Sequence, residues 1–166
     1  IAAPLANRVI GSITATITRT NNAAGESALG DVIADAQLEA TDDPGLGDAV
    51  MAFMNPGGIR ADLTYLGSPA GEGDGNVTYG ESFTVQPFGN SMVTMTLTGA
   101  QIDTLLEQQF VGCGQTSNRI LQVSTGFGYT WTASGAACAK VNPLSITLNG
   151  FPVAATSTTF SSKPPA

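Results

Sequence analysis

Two polar, glycine-containing loops bracket residues 54–90, the stretch that decides the fold: Asn55-Pro56-Gly57-Gly58-Ile59-Arg60 and Gln86-Pro87-Phe88-Gly89-Asn90. An apolar run lies beside each loop, at residues 49–54 and 91–97. Buried strands that end in such loops place backbone amides and a few side chains at a sheet edge, where α/β proteins bind small molecules. We therefore expect the two loops to face one another across a small-ligand site.

The first loop offers a charged side chain on a close-packed backbone. Gly57 and Gly58 let the main chain approach a ligand or another strand, and Arg60 follows them with one residue between. A surface ion pair between Arg60 and Asp62 is the alternative interpretation. The sequence does not decide between a ligand contact and this ion pair.

The second loop offers an aromatic ring and an amide. Phe88 stands between Pro87 and Gly89, which is a poor position for a core residue. Aromatic faces stack on nucleobases, a contact worth about 1–3 kcal/mol per base. Asn90 can donate and accept hydrogen bonds at a base edge or a hydroxyl. The alternative is that Phe88 folds back onto the sheet.

Apolar periodicity and capping residues predict two main helices. The first spans residues 27–41 with Ser27 as its N-cap. Thr98 and Gln101 predict a capping box for the second helix. The predicted buried stripes are Leu29, Val32, Ile33, Ala36 and Ala40 on the first helix, and Ile102, Leu105, Leu106 and Phe110 on the second.

Seven or eight strands are predicted around these helices. Apolar and polar residues alternate at 9–18 and 91–97, apolar runs occupy 49–54 and 120–124, and Asn149-Gly150 predicts a hairpin turn. Further strands are predicted at 77–79, 127–132 and 145–148, and a helical turn at 80–83. Because both helices lie between strands, we expect an α+β (mixed α/β) domain with a mixed β-sheet.

The composition limits the classes of partner. The chain has 166 residues, 42% of them hydrophobic, which suits one domain with a buried core. With a net charge of −7 and only six Lys and Arg residues, no nucleic-acid polymer is expected as a partner. No run of about 18 apolar residues is present, so no membrane span is expected. The 11% of charged residues suits an extracytoplasmic protein.

The sequence contains no histidine. This excludes Ser-His-Asp and Cys-His catalysis and any histidine-based metal site within the chain. The acidic residues are scattered and match no calcium-loop spacing. We therefore predict no catalytic residue and no metal ligand in these 166 residues.

The chain has two cysteines, Cys113 and Cys138, in Gly- and Ala-rich sequence. Neither has a predicted base partner, which argues against a reactive thiol and favours a structural disulfide and an oxidising compartment. Closing a loop of this length would stabilise the fold by roughly 3–3.5 kcal/mol in the chain-entropy model. Two free buried cysteines remain the alternative.

The order and spacing of several segments closely resembles the C-terminal domain of the 5′-nucleotidase family, which includes UDP-sugar hydrolases and 2′,3′-cyclic-nucleotide phosphodiesterases. The resemblance covers residues 9–153, nearly the whole chain. The segments are Gly25-Glu26-Ser27-Ala28-Leu29-Gly30-Asp31-Val32-Ile33-Ala34-Asp35-Ala36, the two loops quoted above, the joint Leu97-Thr98-Gly99, and Leu121-Gln122-Val123-Ser124.

The resemblance implies a secreted, periplasmic or cell-surface phosphoesterase. Its members have an N-terminal metallophosphoesterase domain with two divalent metals, and the C-terminal domain binds the nucleotide or nucleoside and carries it to them. Residues 1–8 would then be the linker from that domain. The implied substrate-binding residues are Asn55, Arg60, Phe88 and Asn90, with Gly57, Gly58 and Gly89 beside them in the same loops.

The chain also departs from the family pattern. It lacks an Asn-Phe-Leu-Ala-x-Gly-Gly-Asp-x-Phe segment whose aromatic closes the other side of the base site, and Phe160 lies too early to replace it. Residues 154–166 are predicted to be a frayed Ser/Thr/Pro tail. We expect a domain that is not catalytic by itself and binds ligand weakly. The alternative is a non-catalytic interaction or structural module with a decayed nucleotide site.

Overall fold

The structure, a computed structural model, describes residues 3–153. This range contains four helices: α1 (Ala3–Ala6), α2 (Ala28–Glu39), α3 (Tyr79–Val85) and α4 (Gly99–Glu107). It also contains seven short strands: β1 (Val9–Ser12), β2 (Phe53–Met54), β3 (Asn76–Thr78), β4 (Gln122–Val123), β5 (Phe127–Gly128), β6 (Thr147–Leu148) and β7 (Phe151–Pro152). Two 3-10 turns lie at Pro56–Gly58 and Pro143–Ser145. The predicted α+β class is confirmed.

The described strands form three small antiparallel sheets in place of the single mixed sheet expected. β1 pairs with β3, β2 pairs with β4, and β5, β6 and β7 form a three-stranded sheet. The β6–β7 hairpin turns at Asn149 and Gly150, whose φ angles are +52° and +80°. Positive φ at both central residues is what the type I′ turn needs, so the predicted hairpin is confirmed.

Helix α2 begins where the sequence predicts, but it buries a different face. The hydroxyl of Ser27 accepts a hydrogen bond from the backbone N–H of Gly30, which confirms the N-cap. Gly30 packs directly against the side chain of Gln122, and this close approach turns the small residues of α2 inward. The buried residues are Leu29, Gly30 and Ala34. The burial predicted for Val32, Ala36 and Ala40 is wrong, since all three are exposed.

Helix α4 supports the larger of two hydrophobic clusters. Thr98 and Gln101 form the predicted capping box. Their side chains accept hydrogen bonds from backbone N–H groups at the start of α4 that have no partner within the helix. The cluster of buried residues built on α4 comprises Ile102, Leu106, Phe110, Ile120, Phe127, Val141, Ile146, Leu148 and Val153. The smaller cluster, beneath α2 and α3, comprises Leu29, Ala34, Met54, Ile59 and Val85.

Three predicted strands are shorter than expected. The strand predicted at 9–18 ends at Ser12, and only Ile17 pairs again, in a single bridge with Leu63. Within the strand, the register shifts between Val9 and Gly11. The strand at 49–54 is reduced to β2, which has one neighbour and is not central. Of 127–132, only β5 and one bridge at Trp131 are paired.

The prediction of a strand at 91–97 is wrong for the part of the chain that the structure describes. These residues belong to no helix or strand, and their side chains are exposed except for the half-buried Leu97. The alternation of Val93, Thr94, Met95 and Thr96 is real, yet no strand within residues 3–153 lies alongside to pair with it. Alternating apolar and polar residues indicate a segment that could join a sheet. The segment becomes a strand only where a neighbouring strand pairs with it.

The first described residues form a short helix, and the two cysteines form a disulfide. The segment 1–8, expected to be a linker, contains the short helix α1, whose Ala6 packs against Gly80 of α3. Cys113 and Cys138 form the predicted disulfide, with their Cα atoms 5.1 Å apart. The tail predicted at 154–166 lies outside the described residues. Between residues 3 and 153, no helix is both long and apolar enough to cross a membrane.

Candidate functional site

The two glycine loops open onto one pocket. Asn55 and Gly58 from the first loop, and Phe88 and Asn90 from the second, line a cavity of about 680 Å³. Small-molecule sites in proteins commonly measure about 300–1,000 Å³. The cavity therefore has room for a ligand of nucleoside size.

The first loop takes its shape from its own sequence. The side chain of Asn55 accepts a hydrogen bond from the N–H of Gly57 at 3.2 Å and caps the 3-10 turn Pro56–Gly58. A Cβ at Gly58 would lie only 2.5 Å from Cε of Met54, so the end of that side chain would have to shift to admit one. Gly57 has no such neighbour, and its outer face is open.

Met54 connects the two loops beneath the pocket. Its sulfur atom accepts hydrogen bonds from Nε2 of Gln86, at the start of the second loop, and from Nε2 of Gln37 on α2, each at 3.3 Å. A thioether is a weak acceptor, but Met54 is buried, and both glutamines also line the pocket. The floor of the pocket is thus shared by β2, α2 and the second loop.

Arg60 lies beside the pocket and does not line it. Its guanidinium Nη1 donates to the carbonyl oxygen of Gly57 at 3.2 Å, and its backbone N–H donates to the carbonyl oxygen of Val85 at 2.8 Å. The alternative ion pair with Asp62 is not formed: Asp62 lies 4.0 Å from Nε of Arg19 and accepts a hydrogen bond from the backbone N–H of Arg19 at 2.8 Å. Arg60 is therefore held on the outer side of the first loop with an exposed side chain.

The second loop is open to solvent. Phe88 is 50% exposed, so its ring is not folded into the core. Asn90 is exposed as well, and Gly89 has no heavy atom near its Cβ position. Of the seven predicted binding residues, the structure places Asn55, Gly58, Phe88 and Asn90 in the pocket lining, with Gly57, Arg60 and Gly89 adjoining it.

The pocket lining is almost uncharged. Asp48 is its one ionisable residue, and the rest is apolar side chains, glycines, amides and hydroxyls. Burial raises the pKa of Glu26 and of Asp31, and it raises the pKa of Tyr129 to about 12, but these groups lie outside the lining. Within residues 3–153, no three His, Cys, Asp or Glu side chains gather as metal ligands.

Gln37 was not among the residues predicted from the sequence. The signal was present, because positions 29, 33 and 37 fall on one face of α2 at intervals of four residues. A glutamine that follows Leu29 and Ile33 on the core-facing side of a helix needs a buried partner or a ligand. Gln86, at the start of the second loop, was not predicted as a site residue either.

The fold and the site together define a class of protein: an α+β domain in which two glycine-containing loops line one pocket. The family model "5′-nucleotidase, C-terminal domain" matches residues 9–158. The chain belongs to this family, and the resemblance inferred from its motifs is confirmed.

Three curated relatives match parts of the chain. Cell wall protein Lmo0130 of Listeria monocytogenes is 39% identical over 107 residues, 64% of this chain and 13% of that protein. The trifunctional nucleotide phosphoesterase protein YfkN of Bacillus subtilis is 36% identical over 107 residues, 64% of this chain and 6% of that protein. Endonuclease YhcR of Bacillus subtilis is 29% identical over 133 residues, 79% and 9% respectively. The chain spans only a small part of each relative.

Two solved structures share the fold. The 5′-nucleotidase precursor from Thermus thermophilus superposes with a TM-score of 0.66 and 27% identity, covering 90% of this chain and 28% of that one. The NAD nucleotidase NadN of Haemophilus influenzae gives a TM-score of 0.57 and 24% identity, covering 83% and 24%. The second likeness shows the fold alone.

Proposed function

We propose that this chain is the nucleotide- or nucleoside-binding, substrate-specificity domain of a secreted 5′-nucleotidase-like metallophosphoesterase and is inactive by itself. One observation carries the proposal. Asn55 from one loop and Phe88 and Asn90 from another, which follows it by about thirty residues, line a single pocket. The domain family is that of 5′-nucleotidases, and one relative is named a nucleotide phosphoesterase.

The chemistry of the pocket supports a nucleoside as the bound part of the ligand. The half-exposed ring of Phe88 offers a stacking face, and the side chains of Asn55 and Asn90 offer donors and acceptors for base edges and sugar hydroxyls. Because the lining contains no cation, the phosphate would lie outside it, toward the exposed guanidinium of Arg60. The ligand would then span the first loop from pocket to surface.

The proposal assigns the chemistry to another part of a longer protein. The chain has no histidine, and its described residues offer no metal-binding cluster. We therefore place the two divalent metals and the activated water in a preceding metallophosphoesterase domain. The Cys113–Cys138 disulfide and the cell wall relative support an extracellular, periplasmic or surface location.

Isothermal titration with AMP and adenosine tests the proposed site, in the 166-residue chain and in the full-length protein. We expect Phe88→Ala to weaken both ligands by about 5–150-fold, the equivalent of 1–3 kcal/mol of stacking. Phe83→Ala is the matched control, since Phe83 is also an exposed phenylalanine but does not line the pocket. Arg60→Ala should weaken AMP more than adenosine. Equal effects of the two phenylalanine variants would contradict the site.

The division of labour has its own test. The purified 166-residue chain should show no AMP hydrolysis with Mg²⁺, Mn²⁺ or Zn²⁺ added, whereas the full-length protein should hydrolyse it. Hydrolysis by the chain alone would overturn the proposal. Metal motifs of the Asp-x-His and Gly-Asn-His-Glu type in sequence that precedes residue 1 would support it.

A second candidate function is a non-catalytic interaction or structural module with a decayed nucleotide site. The position of Arg60 favours it, because the guanidinium is hydrogen-bonded to Gly57 and stays out of the pocket. This candidate requires that the full-length protein bind neither AMP nor adenosine. It also requires that no metal motif precede the domain, so the same two experiments separate the candidates.

A further inference from the structure

The floor of the pocket, formed by Met54, Gln37 and Gln86, has its polar atoms in a defined orientation. Nε2 of each glutamine lies 3.3 Å from the sulfur of Met54. A thioether sulfur accepts a hydrogen bond but cannot donate one, and an amide oxygen likewise only accepts. The nitrogen must therefore be the amide atom that faces the sulfur, because an oxygen in its place would form no hydrogen bond. Met54 thus fixes the orientation of both amides.

The amide oxygens of the floor are left for a ligand. The nitrogen and oxygen of an amide lie on opposite sides of its carbon, so Oε1 of Gln37 and of Gln86 is directed away from the sulfur. Among residues 3–153, no donor is bonded to either oxygen, and neither is among the buried polar atoms without a partner. Because both residues line the cavity and are only partly buried, the floor presents two accessible acceptors.

The charge of the lining also favours a ligand that brings hydrogen-bond donors. Asp48 is the one ionisable residue of the described lining, which contains no Lys or Arg. A ligand group with N–H donors can bond to the two floor oxygens, whereas a carbonyl oxygen in the same place would face them. A repulsive contact of this kind contributes to specificity together with the attractive one. The floor therefore distinguishes groups of similar size by whether they donate or accept hydrogen bonds.

The part of a nucleoside that reaches the floor follows from the nucleoside site proposed above, on which this inference rests. Arg60, proposed to face the phosphate, does not line the cavity, so the phosphate and sugar would lie toward the surface and the base deepest. The edge of a purine farthest from the sugar carries the substituent on C6. This substituent is an amino group with two N–H donors in adenine and an oxygen acceptor in guanine and hypoxanthine.

We propose that Gln37 and Gln86 select nucleosides whose base carries an amino group on the edge far from the sugar. Adenosine has two N–H donors there, one for each Oε1. Purine riboside, in which a hydrogen atom replaces the amino group, forms neither hydrogen bond. Inosine places a carbonyl oxygen against the two amide oxygens. Met54 is the positioning residue of this selection, because its sulfur holds the two nitrogens away from the ligand.

The selection by the floor is separate from stacking on Phe88. Every base has a π-face, so an aromatic ring stacks on all three bases with little preference. The difference between adenosine and purine riboside therefore measures the floor alone. Each hydrogen bond between neutral groups contributes a factor of at least about two to affinity, so two of them predict a difference of about fivefold or more.

Titration calorimetry of the full-length protein with adenosine, purine riboside and inosine is the first test. These nucleosides have no phosphate, so a phosphoesterase does not hydrolyse them and Arg60 does not contribute. Adenosine should bind about fivefold or more tightly than purine riboside, and more tightly than inosine. Equal binding of adenosine and purine riboside would overturn this inference and leave the nucleoside site standing. Binding of none of the three would overturn the nucleoside site and this inference with it.

Glutamine variants assign the preference to the floor. Gln37→Leu and Gln86→Leu should each lower the ratio of adenosine to purine riboside affinity by about twofold or more, and the double variant should bring it close to one. Gln108→Leu is the control, since Gln108 is exposed at the end of α4 and does not line the pocket. A misfolded fraction lowers both affinities alike and leaves their ratio unchanged. A double variant with the wild-type ratio would refute the assignment.

Met54→Leu tests the positioning role separately from the acceptors themselves. Leucine offers no acceptor, so each amide is free to turn over and present either its oxygen or its nitrogen to the ligand. The ratio of adenosine to inosine affinity should therefore fall toward one, although both glutamines are still present. A merely structural role of Met54 would weaken the two nucleosides equally. An unchanged ratio in Met54→Leu would contradict the orientation of the floor by the sulfur.

Discussion

The sulfur of Met54 lies 3.3 Å from Nε2 of Gln86, so the last residue of β2 contacts the first residue of the second loop. Gln37 of α2 donates to the same sulfur. One buried thioether therefore fixes the relative position of the two loops that carry the candidate binding residues. The geometry of the pocket depends on a residue that need not touch the ligand.

Replacement of Met54 by leucine tests this dependence. Leucine keeps the volume, so the free energy of unfolding should fall by less than about 1.5 kcal/mol. Both glutamines lose their acceptor, and we expect AMP affinity to fall about twofold to tenfold, as for one hydrogen bond. Titration calorimetry and urea unfolding measure the two effects. Leu144→Met, on an exposed side chain outside the pocket lining, is the control, and unchanged affinity in Met54→Leu would count against the shared floor.

The two glycines of the first loop should respond differently to alanine. Gly58→Ala places a Cβ 2.5 Å from Cε of Met54. Because that atom is the end of a flexible but buried side chain, its displacement should cost about 1 kcal/mol, the low end for overpacking. Gly57→Ala meets nothing closer than 3.5 Å and should change stability by no more than about 0.5 kcal/mol. Urea unfolding of both variants gives the comparison. Equal losses would mean that the loop does not rest on Met54.

Asp103 should make stability depend on pH. Burial, and then the neighbouring charge of Glu107, raise the pKa of Asp103 above 3.8, and its Oδ1 has no hydrogen-bond partner among the described residues. The folded state therefore binds the proton more tightly than the unfolded state. The free energy of unfolding falls as pH rises from 3.8 through the raised pKa, and it stays lower above that range.

Asp103→Asn removes this pH-dependent loss. The variant should be more stable than the wild type at about pH 7 and differ little from it at about pH 3, where the wild-type carboxyl is protonated in both states. Urea unfolding at the two pH values measures the difference. Asp43→Asn, in an exposed loop, serves as the control. An Asp103→Asn variant less stable than the wild type near neutral pH would contradict the predicted direction.

Reduction of the Cys113–Cys138 disulfide should lower the free energy of unfolding by about 3–3.5 kcal/mol, as loop-closure entropy predicts for a separation of 25 residues. Unfolding with and without a reductant measures the loss. A Cys113→Ser/Cys138→Ser double variant should match the reduced protein and be insensitive to the reductant. A reductant effect in that variant would point to another cause.

Local sequence signals predicted local structure well. Ser27 caps α2, Thr98 and Gln101 form their capping box, and Asn149-Gly150 turns a hairpin. In each case the hydrogen bond or dihedral angle involves residues no more than about three positions apart, so a short window of sequence contains everything that determines it. The family resemblance rests on such windows placed in order.

Contacts between residues far apart in the sequence could not be predicted from such short windows. The backbone N–H of Ser27 donates to Oε1 of Gln122 at 2.6 Å, across 95 positions, and Nε2 of Gln122 donates to the carbonyl of Ile120 at 2.8 Å. This buried amide decides which face of α2 turns inward, and so explains the error over Val32. Likewise, the alternation at 91–97 shows a suitable strand but cannot supply its partner. The contact between Met54 and Gln86 depends on the same kind of tertiary information.

The Cys113–Cys138 disulfide should keep the protein in one piece after a single proteolytic cleavage between the two cysteines. Residues 114–119 and 132–140 are mostly exposed and lie between or next to the two linked positions. A single cleavage between the cysteines would open the main chain without releasing either fragment, since the sulfur bridge would still hold them together. The nicked molecule would keep its mass on a non-reducing gel and retain both pocket loops on one piece, so loss of an intact backbone in this region need not mean loss of binding.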